Sequence, residues 1–178
     1  MNCFANLYQG LKNDYRAYAR SAKSFYKPFF KIHFYCNVIF RISHLFFSLK
    51  LLPVSRLFWL FNRIVFSVDI DPGASLHGGF VIMHGIGIVI GRYVIATGEF
   101  KIYQGATIGG NNGKERVYQD RLLKQPYIKN NVVIGINSAV LGPVVIEAGA
   151  VIGTQAIITR DVAENSTVVG NNKILINK

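Results

Sequence analysis

Few side chains in this sequence suit nucleophilic, acid–base or metal chemistry. The 178 residues include four histidines and two cysteines. Cys3 and Cys36 have neither the number nor the spacing of a disulfide framework or a zinc site, and they fit a reducing compartment. His33 and His44 lie in an aromatic-rich stretch expected to be helical, where packing or surface roles suit them. His77 and His84 lie further on, among glycines. A histidine zinc site needs three converging imidazoles. This region has two, so no metal is expected. Taken alone, His84 is either a turn residue hydrogen-bonded to a loop or a general base for an attacking hydroxyl. The element that carries it decides between these.

That element repeats every six residues. From Val68 to Gly109 the chain reads VDIDPG-ASLHGG-FVIMHG-IGIVIG-RYVIAT-GEFKIY-QGATIG. One column holds Ile70, Leu76, Ile82, Ile88, Val94, Phe100 and Ala106. It resumes at Ile128, Ile134, Val140, Ile146, Ile152 and Ile158. A helix would repeat its apolar residues at three and four, and a single strand at two. A period of six predicts a parallel β-helix, with six residues to a side and about eighteen to a coil. Gly73, Gly79, Gly85, Gly91, Gly109, Gly135, Gly149 and Gly153 suit the corners, where the chain turns tightly. Residues 110–126 break the period and predict an excursion from the coil, a common place for function.

The N-terminal third differs in composition. Residues 1–68 hold ten Lys and Arg against one acid, Asp14. Residues 69–178 hold ten against eight, so most of the net charge of +11 belongs to the first third. No run there approaches the ~18–20 apolar residues of a membrane span, and the start lacks the pattern of a signal peptide. Helices are expected over 4–22, 30–50 and 54–66, with a break near Pro53. Two roles stay open for residues 1–67. One is a helical cap on the β-helix or on neighbouring subunits. The other is an interfacial segment on an anionic leaflet. The basic residues are interleaved with aliphatic ones and no nucleic-acid motif is present, so nucleic acid is not an expected partner.

Three segments carry a family resemblance: Val68–Gly73 (VDIDPG), His84–Gly91 (HGIGIVIG) and Ala106–Gly110 (ATIGG). Together they resemble the serine acetyltransferase branch of the left-handed β-helix hexapeptide acyltransferases, over residues 64–170. The resemblance implies a mainly β protein: a left-handed parallel β-helix (68–170, with the excursion at 110–126) preceded by a helical region (1–67) and followed by a tail (171–178). The left hand comes from the resemblance alone, since parallel crossovers are generally right-handed. It implies acetyl transfer from acetyl-CoA. His84 would be the general base and Asp69, fifteen residues earlier, would orient it. An oxyanion would be held near Gly109 and Gly110. Acetyl-CoA would run past Gly135, Ser138, Gly153 and Thr154 between subunits of a homotrimer, with Lys173 near its phosphates.

The acceptor side departs from the branch. Met83 stands where the family has an aspartate for the substrate amine. Lys124 and Gln125 stand before Pro126, where it has an Arg-His pair for the carboxylate. With Gln104 and Arg121, these residues are expected to shape the acceptor site. Shorter, basic relatives act in capsule, colanic-acid and O-antigen pathways. The expectation is therefore a sugar or polysaccharide hydroxyl as acceptor, acetylated by a cytoplasmic enzyme touching the inner face of the membrane. Serine O-acetylation is the alternative, and a non-catalytic hexapeptide scaffold is a further one.

Overall fold

The computed structural model describes residues 3–170. Lys173 lies outside the described residues. Ser67, in a left-handed conformation at the end of the third helix (φ 54°), marks the change from helix to coil.

Beyond it, short parallel strands stack into three sheets. The first contains β1 (Val68–Ile70), β4 (Ile88–Ile90), β7 (Thr107–Gly109), β12 (Ala139–Leu141) and β15 (Ile157–Ile158). The second contains β2 (Ser75–Leu76), β5 (Ile95–Ala96), β10 (Tyr127–Ile128) and β13 (Val145–Ile146). The third contains β3 (Phe80–Ile82), β6 (Phe100–Ile102), β11 (Val132–Ile134), β14 (Val151–Ile152) and β16 (Thr167–Val168). The chain visits them in rotation, as a β-helix must. Alternate residues of each strand point inward, and the inner ones form a continuous buried core of Ile, Val, Leu, Ala and Phe. Burying one such Val, Leu or Ile stabilises the fold by ~1.5–3 kcal/mol relative to exposure. The core therefore rests on the inward columns.

The register corrects the single column expected from Ile70 to Ala106. Ile70 pairs with Ile90 and Ile82 with Ile102, twenty positions on. Ile90 pairs with Ile108, eighteen positions on. Two extra residues therefore lie between Ile82 and Ile88, in the corner that carries His84. The slip is invisible in the hydrophobic pattern because i and i+2 of a strand face the same way. Ile88, Val94, Phe100 and Ala106 occupy the other inward position, that of Val68 and Phe80, not that of Ile70. The excursion also has structure. Arg116–Tyr118 (β8) and Arg121–Leu123 (β9) form an antiparallel hairpin. Its turn residues Gln119 and Asp120 have φ of 46° and 61°, the positive values of a tight hairpin turn. Leu123 is buried, and Arg116 Nη2 lies 2.6 Å from Asp161 Oδ1, so the hairpin is pinned to a later coil of the same β-helix.

The helices α1 (Cys3–Ala22), α2 (Ile32–Ser48) and α3 (Leu52–Phe66) close the N-terminal end. An open coil end is a sheet edge, with unpaired N–H and C=O groups. Side chains of the helices satisfy these groups one by one. The Phe80 N–H donates to Asp14 Oδ1, and Asn37 Nδ2 donates to Phe80 O. The Tyr18 hydroxyl accepts from Ile82 N–H and donates to Ile82 O. His44 Nδ1 donates to Pro72 O, and Asn13 Nδ2 to His77 O. Arg41 binds Asp14 through two hydrogen bonds of 2.8 and 2.9 Å and donates to Leu76 O as well. Asp14 and Arg41 are both buried. Removing one partner of such a pair strands the other charge, at a cost of ~3–5 kcal/mol. Of the two roles left open for this region, the structure thus fills that of a cap. No helix among the described residues is long and apolar enough to cross a membrane.

Candidate active site

Each coil has three corners, and the expected site residues fall on two of them. The widened corner between β3 and β4 carries Met83 and His84. In the following coils the same corner carries Gln104, then Gly135 and Ser138, then Gly153 and Thr154. Backbone bonds tie the stack together: Gly105 N–H to Ile86 O, Asn137 N–H to Gln104 O, and Gln155 N–H to Ile136 O. The other corner, at the far end of the first sheet, carries Gly109, Gly110 and the hairpin with Arg121, Lys124 and Gln125. One strand separates the two corners, on the order of 10 Å at ~3.3 Å per residue.

The cap holds the His84 corner from below. Gly85 N–H donates to His33 Nε2 at 3.0 Å, and Gly87 N–H donates to Ser67 O at 2.9 Å. A Cβ at Gly85 would sit 2.6 Å from the His33 ring, so the contact requires glycine. His33 accepts at Nε2 and is therefore neutral, with its proton on Nδ1. Burial lowers its pKa, with His84 and Lys31 acting in the same direction. His84 itself is exposed. Met83 lines a cleft of about 190 Å³ together with Tyr18, His33 and Val81.

Asp69 lies mid-strand on β1, its side chain 28% exposed. Trp59 Nε1 donates to its Oδ1 at 2.8 Å, and Arg63 Nη1 stands 3.2 Å from Oδ2. The guanidinium groups of Arg56 and Arg63 lie 5.0 and 5.3 Å from the Trp59 ring centre. Among the described residues no hydrogen bond or ion pair joins Asp69 to His84. The sequence reading missed Trp59, Arg63 and His33. Their only signal was an aromatic or basic residue on an amphipathic helix, and their partners lie on a different element.

The remaining positions separate by what their own chain asks of them. Ser138 is buried and donates its hydroxyl to Gly135 O at 2.8 Å. The side chain fills the small inward position, which leaves its backbone as the part that can face a cofactor. Gly135 and Gly153 lie against the backbone of the next coil, where a Cβ would come within 2.6 and 2.9 Å of carbonyl oxygens. Gly109 is different. A Cβ there would meet only Thr107 Cγ2, at 4.0 Å, so its own chain does not require glycine. Gln104 Oε1 is buried without a hydrogen-bond partner among the described residues. Lys124 Nζ is 2.7 Å from Glu115 Oε1, and Gln125 Oε1 accepts from Tyr93 N–H at 3.0 Å. Both thus pack the base of the hairpin. Arg121 is exposed on it. Cys36 is no nucleophile, since burial pushes its thiol up to about 12.

A β-helix of six-residue sides, closed by helices and presenting a histidine at a widened corner, defines a class, the hexapeptide transferases. Residues 125–160 match the family model described as bacterial transferase hexapeptide (six repeats). The serine acetyltransferase of Helicobacter pylori is 30% identical over 139 residues, 78% of each chain. That of Synechococcus elongatus is 37% identical over 137 residues, 77% of this chain and 54% of its own. Among solved structures, Neisseria gonorrhoeae serine acetyltransferase in complex with serine superposes with a TM-score of 0.80 at 26% identity, covering 94% of this chain and 68% of that one. Entamoeba histolytica serine acetyltransferase 1 in complex with L-cysteine gives 0.76 at 32%, covering 91% and 62%. The chain belongs to the serine acetyltransferase family, and its β-helix is left-handed. It spans about half the length of the first curated relatives it matches.

These relatives overturn the sugar acceptor expected from the sequence. That expectation rested on Met83 and on Lys124–Gln125. Substitutions at the acceptor side remove charges suited to an amino acid, but they supply no feature that selects a sugar.

Proposed function

We propose that the chain is an acetyl-CoA-dependent O-acetyltransferase acting on L-serine. The observation that carries this is the widened corner, which holds an exposed His84 at the head of a stack of turns. In the reaction, one nitrogen of the His84 ring takes the serine hydroxyl proton as the oxygen attacks the thioester carbonyl. The tetrahedral oxyanion then collapses and the C–S bond breaks. The imidazolium gives this proton to the departing sulfur, so CoA leaves as the thiol and His84 is neutral again. Asp69, gripped by Trp59 and Arg63, is the carboxylate whose charge favours the imidazolium, and orienting the ring would require a hydrogen bond formed when substrate binds.

The other roles follow from what the chain leaves unused. Gly109 and Gly110 suit an approach by an oxyanion to backbone N–H groups. Gln104 Oε1 is an acceptor without a donor, and an amino acid's ammonium group supplies one. This compensates in part for Met83. Acetyl-CoA is placed along Gly135, Gly153 and Thr154, on the same corner as His84. The two corners of one chain do not converge on one reacting atom. The proposal therefore includes a homotrimer, in which His84 of one copy faces Gly109, Gly110 and the hairpin of another. The names of the relatives, and the serine held by the Neisseria enzyme, support the choice of acceptor.

The test is thiol release from acetyl-CoA with and without L-serine, with the acetylated product identified by mass. Serine-dependent release is expected. Absence of release at saturating serine overturns the proposal.

A further inference from the structure

The cap presents a second surface, and two of its lysines, Lys27 and Lys31, also line the cleft beside Met83. Residues 23–32 read KSFYKPFFKI and join α1 to α2 through a short 3₁₀ turn, Lys27–Phe30. Apolar side chains of this segment face water. Phe25 is 77% exposed, Phe30 82%, and Tyr26, Phe29 and Ile32 are each more than half exposed. They alternate with Lys23, Lys27 and Lys31, which have no ion-pair partner among the described residues.

The segment is built, not slack. Tyr15 donates its hydroxyl to Phe25 O at 2.8 Å, and Tyr35 donates to Phe29 O at 2.9 Å. The rings of Tyr15 and Phe34 pack against the inner side of Phe29, at 5.6 and 6.3 Å. This holds the backbone while leaving the tips of Phe25 and Phe30 outside. The charge is one-sided. Asp14 is the sole acid of residues 1–68, and it is buried against Arg41. The exposed surface of these residues therefore carries cations and aromatic rings with no carboxylate of its own. Aromatic residues partition into the headgroup zone of a bilayer, and lysines beside them are drawn to anionic lipid.

We propose that residues 23–32 form a spur that docks the protein on an anionic lipid surface, with Phe25 and Phe30 entering the headgroup region and Lys23, Lys27 and Lys31 meeting lipid phosphates. In a trimer three spurs lie at the same end of the molecule, so three weak contacts act together.

The experiment is co-sedimentation of the full chain with vesicles of phosphatidylcholine alone or mixed with phosphatidylglycerol. Binding is expected to the mixed vesicles and to weaken with salt. Replacing Lys23, Lys27 and Lys31 with Gln should weaken it roughly fivefold per lysine. The double variant Phe25→Ser/Phe30→Ser should lose it while keeping its circular dichroism and unfolding midpoint. No binding, or equal binding to neutral vesicles, overturns the proposal. A change of oligomeric state in the double variant also overturns it, because the rings then form a seam between copies.

Discussion

Asp69 and His84 divide the chemistry unequally. The imidazole is exposed, while the carboxylate already serves an indole N–H and a guanidinium. Such an arrangement fixes where the negative charge sits before any substrate arrives. Asp69→Asn keeps an oxygen for Trp59 and removes the charge. On the proposed reaction, kcat with serine falls on the order of 10²-fold or more, with KM little changed. The half-exposed Arg63 contact contributes less than ~1 kcal/mol, so the unfolding midpoint should barely move. A lowered midpoint with unchanged kcat would make Asp69 a structural residue only. Both residues were visible in the sequence through the motifs around them. Trp59 and Arg63 were not, because nothing local says which strand an exposed helical side chain will meet.

At the scale of elements, the cap and the first coil form one unit joined by polar side chains on a sheet edge. This was half legible. The helices followed from spacing and from Pro53, and the six-residue period revealed the coil. The two-residue slip after Ile82 was hidden, since a shift of two preserves which residues face inward. The buried Asp14–Arg41 pair was hidden as well, because a lone acid among ten basic residues gives no sign of burial. Two histidines of the cap make the joint sensitive to acid. Burial lowers the pKa of His33 and of His44 below the ordinary 6.5. The unfolded chain therefore takes up protons that the folded chain resists, and the stability these groups contribute is complete above 6.5 and is lost as pH falls below it. Protonation of His33 also removes the acceptor for Gly85 N–H, beside the corner that carries His84. The unfolding midpoint should drop between pH 7 and pH 5.5, and His33→Gln/His44→Gln should flatten that slope. An equally steep slope in the double variant would assign the acid sensitivity to other groups.

For the whole molecule, the fold explains why one chain is an incomplete catalyst on this account. The coil places the histidine stack and the hairpin at opposite ends of one sheet, and in the proposed trimer a second copy would bring them together. The cap, meanwhile, leaves its aromatic spur at one end, away from the C-terminal coils. Composition had already indicated that the basic third is a separate layer; within it the structure exposes Phe25 and Phe30 on residues 23–32, and also Leu57 and Ile64 on α3.

The account's centre is the exposed imidazole on the widened corner. The most direct measurement compares serine-dependent thiol release by the unsubstituted protein and by His84→Ala, matched for oligomeric state and circular dichroism. The account predicts a loss of about 10²–10⁴-fold in the substituted protein. Equal rates would contradict it.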